Sequence, residues 1–353
     1  MPGLGFGASA VSGGELSLAE RAGFPAARTC LEGVGKTPAA LRRVVAAARA
    51  GQPLLWVSLE SAEEAAELAG LATRAGVRID AIVRINPQVQ PETIRGLAVG
   101  ASGSKFGVLA EELPSVIEAG GGPDGPIRWR GIHLHIGSQL GAVDAWRSAV
   151  TVGAAVLGLQ RAVLSDFDTL DVGGGFPVGL EEGEVPSPAH FAAAAEEALE
   201  EVPADARPRR LAIEPGRAVV ARCGWLLARV LHVRDRETPQ IVLDAGMTEL
   251  IRPALYGAEH PIEALTSLGE PLGEPTPGGR VVVHGPICES TDRLGEAPLP
   301  PLRRGDLVAI GQTGAYASAM SMTYNGRPRP PEVAWDGSAV RLLRGRGATR
   351  SLP

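Results

Sequence analysis

Three consecutive glycines form the most chemically suggestive stretch of the chain. They lie in Asp171-Val172-Gly173-Gly174-Gly175-Phe176-Pro177, after the apolar run Leu170 to Val172. Glycine tolerates positive φ and carries no side chain, so the backbone N–H groups of such a turn can close on an anion. Further on, a second strand-like run ends in a tight turn, Leu211-Ala212-Ile213-Glu214-Pro215-Gly216-Arg217. Two such turns could hold one phosphate between them, although each alone reads equally as an ordinary strand-to-helix turn. A carboxylate beside a phosphate needs a cationic partner. For Glu214 a protonated pyridine nitrogen would serve, and so would Arg217.

Other segments carry further chemistry. Gly131-Ile132-His133-Leu134-His135-Ile136-Gly137-Ser138-Gln139 places His135 where it could stack on a flat ring and Ser138 where it could donate to a phosphate. A lone histidine there reads equally as a satisfied core residue. Gly285-Pro286-Ile287-Cys288-Glu289-Ser290-Thr291-Asp292 joins a thiol to two carboxylates, and a partly exposed thiol is a competent proton donor or nucleophile. Thr313-Gly314-Ala315-Tyr316 adds a phenol, and Ile251-Arg252-Pro253-Ala254-Leu255-Tyr256 offers a guanidinium to a substrate carboxylate.

The elements that must position these groups follow an alternating pattern. Strand-like runs at Ala8–Val11, Ala27–Gly33, Leu54–Glu60, Asp80–Asn86, Trp129–Gly137, Thr169–Gly175 and Arg210–Gly216 are separated by helical stretches. The helices include Pro38–Ala50, Ala62–Ala75, Ala145–Leu164 and Pro188–Glu201, the last with Ser187 as its cap. On the run Trp129–Gly137, His133 and His135 share a strand face. Alternation of this kind predicts a parallel sheet with helices outside, and seven units fall one short of a closed (β/α)8 barrel. The chemical residues sit at the C-terminal ends of the strands, where barrel sites lie, and the two glycine turns match the phosphate loops after strands seven and eight if one strand precedes Ala8. After about residue 222 the pattern changes to strands with dense Pro and Gly turns, at Trp225–Val233, Gln240–Asp244, Gly279–Val283 and Asp306–Gly311. The expected organisation is an α/β barrel domain over residues 1–222 and a mostly β domain over 223–353, a sandwich or Greek-key barrel.

Composition narrows the function classes. The 353 residues carry a net charge of −6 and 34 Lys and Arg, of which only Lys36 and Lys105 are lysine. The arginines are scattered, which argues against a nucleic-acid partner. No apolar run spans a bilayer and the N-terminus lacks the pattern of a signal peptide, so the cytoplasm is expected. The three cysteines have no C-x-x-C spacing and His133 with His135 has no third ligand nearby in sequence, so no metal is expected.

Taken together, these segments closely resemble the diaminopimelate decarboxylases, the lysine-biosynthesis branch of the fold-type III, alanine-racemase-like decarboxylases that use pyridoxal 5'-phosphate. The resemblance runs from Val11-Ser12-Gly13-Gly14-Glu15-Leu16 through Arg84-Ile85-Asn86-Pro87 and Ser104-Lys105-Phe106-Gly107 to Tyr324-Asn325-Gly326-Arg327-Pro328-Arg329-Pro330. It implies decarboxylation of meso-2,6-diaminopimelate to L-lysine and CO2. It implies that His135 stacks on the cofactor ring, and that Ser138, Gly173, Gly174, Gly175 and the Pro215-Gly216 turn cradle its phosphate. Glu214 matches the partner of the pyridine nitrogen. Arg217, Arg252 and Tyr256 match substrate-binding positions, Arg217 also lying in the cofactor turn, and Tyr316 matches a residue touching cofactor and substrate. Cys288 and Glu289 match a pair that a neighbouring subunit contributes, the cysteine as proton donor and the glutamate at the substrate, so a head-to-tail homodimer is implied. The Cys-Glu-Ser sequence resembles the diaminopimelate branch, whereas the ornithine branch usually has Asp in place of Glu289.

One departure shapes the expectations. The family's Schiff-base lysine sits on barrel strand one, and this sequence begins after that strand; Lys36 and Lys105 match other family lysines, and Ser9 stands where many relatives have an acidic residue. A first βα unit is therefore expected to be missing from this sequence, together with an upstream β-domain strand, with Met1 read as an internal start. Two alternatives remain: a catalytically inactive homologue acting as a binding or regulatory protein, and a decarboxylase of ornithine- or arginine-type substrates.

Overall fold

The computed structural model describes residues 1–93, 97–101, 103–181, 183–275 and 279–348. The chain divides into two units, Met1–Pro177 with Gly183–Pro215, and Val178–Glu182 with Gly216–Pro353.

In the first unit, short apolar runs form β1 (Ala8–Ala10), β2 (Thr29–Leu31), β3 (Trp56–Leu59), β4 (Ile79–Arg84), β5 (Ile127–His133), β6 (Thr169–Asp171) and β7 (Arg210–Ala212). All neighbours pair in parallel and in chain order, β1 to β7. This is the strand order of a (β/α)8 barrel with seven strands present. Every residue of β2, β3 and β6 is buried, as parallel strands covered on both faces require. The edge strand β7 differs: Leu211 is 48% and Ile213, just beyond it, 56% exposed.

The intervening helices are α1 (Gly13–Arg21), α2 (Pro38–Arg49), α3 (Ala62–Ala75), α4 (Leu113–Ala119), α5 (Asp144–Gln160) and α6 (Pro188–Glu200). Their starts are written in the sequence. Ser12 caps α1 by accepting from Glu15 N–H while the Glu15 carboxylate accepts from Val11 N–H. Ser61 and Glu64 do the same for α3. In each the serine is the cap, worth about 1 kcal/mol, and the carboxylate reaches back to the N–H of the residue before it. Ser187 caps α6, with His190 Nδ1 accepting from Ser187 N–H at 3.1 Å where a glutamate usually stands. Trp146 of α5, Phe191 of α6 and Phe176 form an edge-on aromatic cluster, and Phe176 fixes the chain immediately after the three glycines.

The strands stop earlier than the hydrophobic runs suggest. β5 ends at His133, two residues before His135, so the two histidines do not share a strand face. β6 ends at Asp171 and β7 at Ala212, which leaves both glycine turns outside regular pairing. Gly173 (φ 70°) and Gly175 (φ 99°) take left-handed backbone that does not fit a regular ladder, and they mark that limit.

The second unit opens with α7 (Gly216–Val220) and continues with β8 (Leu226–Arg234), β9 (Gln240–Leu243), α8 (Arg252–Tyr256), β10 (Ile262–Leu265), β11 (Val281–His284), β12 (Arg293–Ala297), β13 (Leu307–Ile310), β14 (Glu332–Trp335) and β15 (Val340–Arg344). Six strands form one sheet in the order β10-β13-β8-β9-β11-β12, and β14 pairs with β15. β8 is long because it serves two neighbours: residues 226–229 pair with β13 and residues 230–234 with β9. All these pairs are antiparallel except β9 with β11. The core gathers Val230, Leu243, Val283, Leu294, Val308 and Ile310 from the six-stranded sheet.

Candidate functional site

The first unit collects acidic groups at the C-terminal ends of its strands. Glu32 follows β2, His133 ends β5, Asp171 ends β6 and Glu214 follows β7. Glu32, His133 and Asp171 are buried. His133 Nδ1 lies 2.8 Å from Ser58 Oγ of β3, and its Nε2 lies 3.2 Å from Glu214 Oε1. These last two atoms have no accessible surface and no well-aligned hydrogen bond. Their approach is therefore an ion-pair distance without hydrogen-bond alignment, and Oε1 keeps the capacity to accept from another N–H. Although 21% of the Glu214 side chain is exposed, that oxygen is not. Cys30 Sγ donates to Glu32 Oε1 at 3.1 Å. One ligand-type atom from each of Glu32, His133 and Glu214 falls within 4.8 Å of the others.

Burial dominates the electrostatics. It pushes the Glu214 carboxyl up to about 8, helped by the Asp171 charge and opposed by a Glu32 hydrogen bond and Arg84. Burial also raises Asp171 to about 6, with His133 pulling the other way. Glu32 is raised by burial and then by Glu214, and the Cys30 thiol by burial and then by Glu32. Glu32 and Glu214 bring carboxyl oxygens within 4.8 Å of each other in this buried site, where two ionised carboxylates would repel. His135 is lowered to about 3 by burial, then by Arg84 and His133, and is neutral. Its Nδ1 accepts from Gly174 N–H at 3.1 Å, which fixes the ring with its proton on Nε2.

The glycine turn is dictated by close backbone approach. A Cβ on Gly173 would meet the Leu134 carbonyl oxygen at 2.2 Å, one on Gly174 the Glu214 carbonyl oxygen at 2.4 Å, and one on Gly175 the Gly137 carbonyl oxygen at 2.7 Å. Glu214 N–H donates to the Gly173 carbonyl at 2.9 Å and ties the two turns together. Two of the three glycine N–H groups are already engaged, Gly173 by Asp171 at 2.9 Å and Gly174 by His135. Ser138 sits half-buried past the end of β5. The Arg84 and Phe106 segments meet on Glu60, which takes Arg84 Nη1 at 3.0 Å and Gly107 N–H at 2.9 Å, and Arg84 lies over the Phe106 ring. The two lysines are engaged nearby in sequence and structure: Lys36 is fully buried against Glu64 at 3.1 Å, and Lys105 lies over Phe106.

The second unit holds a basic cluster of its own. Arg252, buried at the start of α8, places Nη1 3.3 Å from His260 Nε2, while His260 Nδ1 lies 3.0 Å from the Gly311 carbonyl. A carbonyl can only accept, so Nδ1 carries the proton and Nε2 accepts from Arg252. Arg217 stacks at 4.5 Å over Tyr316, which holds φ at 59°, a strained value for a tyrosine. Burial, then the Arg252 charge, lowers Arg217 to about 10, and burial also lowers Arg252. Tyr256 is half-buried on the same helix as Arg252, Pro215 is half-buried, and Gly216 opens α7. The two carboxylates of the cysteine loop have different tasks. Asp292 is buried and accepts from Met247 and Ile287 N–H at 2.6 and 2.7 Å, holding the loop's shape. Glu289 is exposed and accepts from Tyr324 Oη at 2.6 Å, and Cys288 is exposed beside Asn325.

Sequence reasoning passed over Glu32, Ser58, Asp171 as a titrating group, and His260. Glu32 stood at the C-terminal end of a strand-like run, the position that barrel logic marks as functional. His260 had no such signal, because its role depends on a carbonyl far along the chain.

Comparison with known proteins places the chain. Residues 1–221 match the family model "Pyridoxal-dependent decarboxylase, pyridoxal binding domain". The chain is 35% identical over 351 residues to diaminopimelate decarboxylase of Aquifex aeolicus, covering 97% of this chain and 78% of that protein. It is 36% identical over 344 residues to the Deinococcus radiodurans enzyme of the same name, covering 97% and 81%. The crystal structure of Helicobacter pylori diaminopimelate decarboxylase complexed with L-lysine superposes with a TM-score of 0.85 at 30% identity, covering 98% of this chain and 82% of that one. The chain belongs to the diaminopimelate decarboxylase family of pyridoxal-dependent decarboxylases.

Proposed function

We propose that this chain carries the cofactor seat and substrate groups of a decarboxylase that converts meso-2,6-diaminopimelate to L-lysine and CO2. The observation that carries the reading is Glu214 Oε1, a buried carboxyl oxygen without an aligned donor, raised to about 8 beside His133. Such an oxygen suits a cationic ring N–H, and the residues around it fit pyridoxal 5'-phosphate: a carboxylate for the ring nitrogen, neutral His135 for its face, and Gly175 N–H with Ser138 for its phosphate. When bound, the cofactor supplies an electron-poor ring that accepts the electron pair left on carbon as CO2 departs.

The chain's own residues do the rest. Glu214 keeps the ring nitrogen protonated by accepting its N–H. His135, neutral through the ordinary pH range, packs without adding a charge that would repel the ring. Arg252, oriented by His260, and Arg217 bind substrate carboxylate, with Tyr256 beside them on α8. The exposed Cys288 thiol returns a proton to the carbon that lost CO2, and Glu289 binds the substrate's amino group. Both act on the site of a second copy of the chain in a cytoplasmic homodimer.

The test is CO2 release and L-lysine formation by protein from its native host, supplied with pyridoxal 5'-phosphate and offered meso-diaminopimelate, ornithine or arginine. Preference for meso-diaminopimelate is expected, and preference for ornithine overturns the substrate assignment. One observation favours a second reading, a cofactor-binding protein without decarboxylase activity: both Lys36 and Lys105 are engaged by other groups. Borohydride reduction followed by mass analysis separates the two, since a pyridoxyl-lysine adduct eliminates the non-catalytic reading.

A further inference from the structure

The carboxyl group of Glu32 has no part in the family roles set out above, yet it is 3% exposed and stands in the same buried cluster as Glu214. A buried carboxyl group must be paired, protonated or relieved by a donor. Cys30 donates its thiol hydrogen to Glu32. Ser58 meets His133 Nδ1 at 2.8 Å, and Asp171 accepts from Gly173 N–H. Arg84 is held by Glu60, and His135 by Gly174 N–H. Glu214 has His133 Nε2 at 3.2 Å and a Glu32 carboxyl oxygen within 4.8 Å, and it also feels the charges of Asp171 and Arg84.

We propose that Glu32 is a positioning residue for Glu214: it keeps the proton that the pair shares, so that Glu214 can meet a cationic ring N–H as a carboxylate without releasing a proton to solvent. The inference rests on the cofactor reading given above. The empty pair holds one proton between two carboxyl groups. When a pyridinium ring docks, that proton resides on a Glu32 oxygen, the Glu214 carboxylate accepts the ring N–H, and no proton leaves the protein. Glu32 as an acid also donates a hydrogen bond to the Glu214 carboxylate, the direction in which its hydrogen bond already acts on Glu214. His133, held by Ser58, presents Nε2 to Oε1 and limits how Glu214 can turn. Without Glu32, Glu214 would bear the proton itself at neutral pH and would have to lose it on docking.

Pyridoxamine 5'-phosphate is the probe, because it has the same ring and phosphate and needs no lysine to hold it. Calorimetric titration of the full chain at about pH 7, where the ring nitrogen of the free probe is protonated, in two buffers of different ionisation heat, gives both affinity and protons exchanged. The wild type is expected to bind with almost no proton release. Glu32→Gln keeps a hydrogen-bond donor but cannot hold the proton, and is expected to match the wild type in affinity while releasing close to one proton. Glu32→Leu is expected to bind about tenfold more weakly and to release close to one proton. Equal proton counts in wild type and Glu32→Leu, or a Glu32→Gln variant that binds without releasing a proton, overturn the inference while leaving the cofactor seat intact. Failure of the wild type to bind the probe at all overturns the cofactor reading and the inference with it.

Discussion

The acidic cluster of the first unit and the basic cluster of the second face the same problem with opposite charge. Glu32, Asp171 and Glu214 are crowded around His133, and Arg252 and Arg217 are crowded around His260 and Tyr316. The carboxyl groups resolve the crowding by keeping protons, which is why Glu214 rises to about 8 and Asp171 to about 6. Arginine has no such escape, because its guanidinium remains charged in proteins. Arg217 is lowered only to about 10 and Arg252 has no ion pair among the described residues. The acidic cluster can mask part of its charge with a proton and present a carboxylate when a cation arrives. The basic cluster is charged at all times and calls for an anion. Under the proposed function, the first cluster suits a cationic ring and the second a substrate carboxylate.

The largest expected effect breaks the basic half. Arg252→Ala removes a charged donor that protonation cannot replace, and should raise KM for the dicarboxylic substrate about 100-fold, by about 2–3 kcal/mol, with a smaller change in kcat. Steady-state kinetics of CO2 release check it. Arg252→Lys should recover only part of the loss, since an ammonium cannot serve His260 and a carboxylate with one rigid fork. An unchanged KM in Arg252→Ala would remove the guanidinium from substrate binding.

On the acidic side, the next effect is steric. Gly174→Ala would push a methyl group to 2.4 Å from the Glu214 carbonyl oxygen. A loss of about 1–3 kcal/mol is expected in denaturant unfolding, together with weaker cofactor binding, because the displaced carbonyl belongs to the residue that carries the site.

The protonated state of the acids has a pH signature of smaller size. The folded carboxyl of Glu214 holds a proton up to about 8, while the unfolded chain releases it near the ordinary 4.5. The folded state therefore binds more protons in that window, and its stability falls as pH rises from about 4.5 to about 8. Glu214→Gln should flatten this fall by on the order of 1–3 kcal/mol between about pH 5 and about pH 8. His135 contributes the opposite slope: its folded value near 3 lies below the ordinary 6.5, so stability is lost as pH drops below about 6.5. Unfolding midpoints of both proteins at several pH values separate the two contributions.

The smallest change tests the orientation of Arg252. His260→Gln retains an acceptor but not the two-sided bridge to Gly311, and KM should rise about threefold with kcat nearly constant. A larger effect on kcat than on KM would place His260 in the chemistry rather than behind the arginine.

Much of this was legible because the residues that matter lie at strand ends and helix starts. Ser187 ahead of Pro188 announced the start of α6, and the alternation of runs announced a parallel sheet in chain order. The triple glycine announced a turn, but not that two of its N–H groups serve Asp171 and His135, since those partners come from other parts of the chain. The reach of β5 was misjudged because Leu134 and Ile136 continue its apolar pattern after pairing has stopped; both are buried without being strand. Ser12 and Glu15, in the first motif of the resemblance, cap a helix start, and Asp292 looked chemical and is a scaffold. His260 was silent and Glu32 showed only its strand-end position, because a buried titratable group reveals its role only through neighbours brought together by the fold.

The central claim, that Glu214 awaits a cationic ring nitrogen, has a direct test. Binding of pyridoxamine 5'-phosphate is compared with that of its analogue whose ring nitrogen is replaced by C–H, in the wild type and in Glu214→Gln. The account predicts that the wild type prefers the nitrogen-containing ring by about tenfold or more and that the preference shrinks in Glu214→Gln. Equal affinity of the wild type for both rings would contradict it.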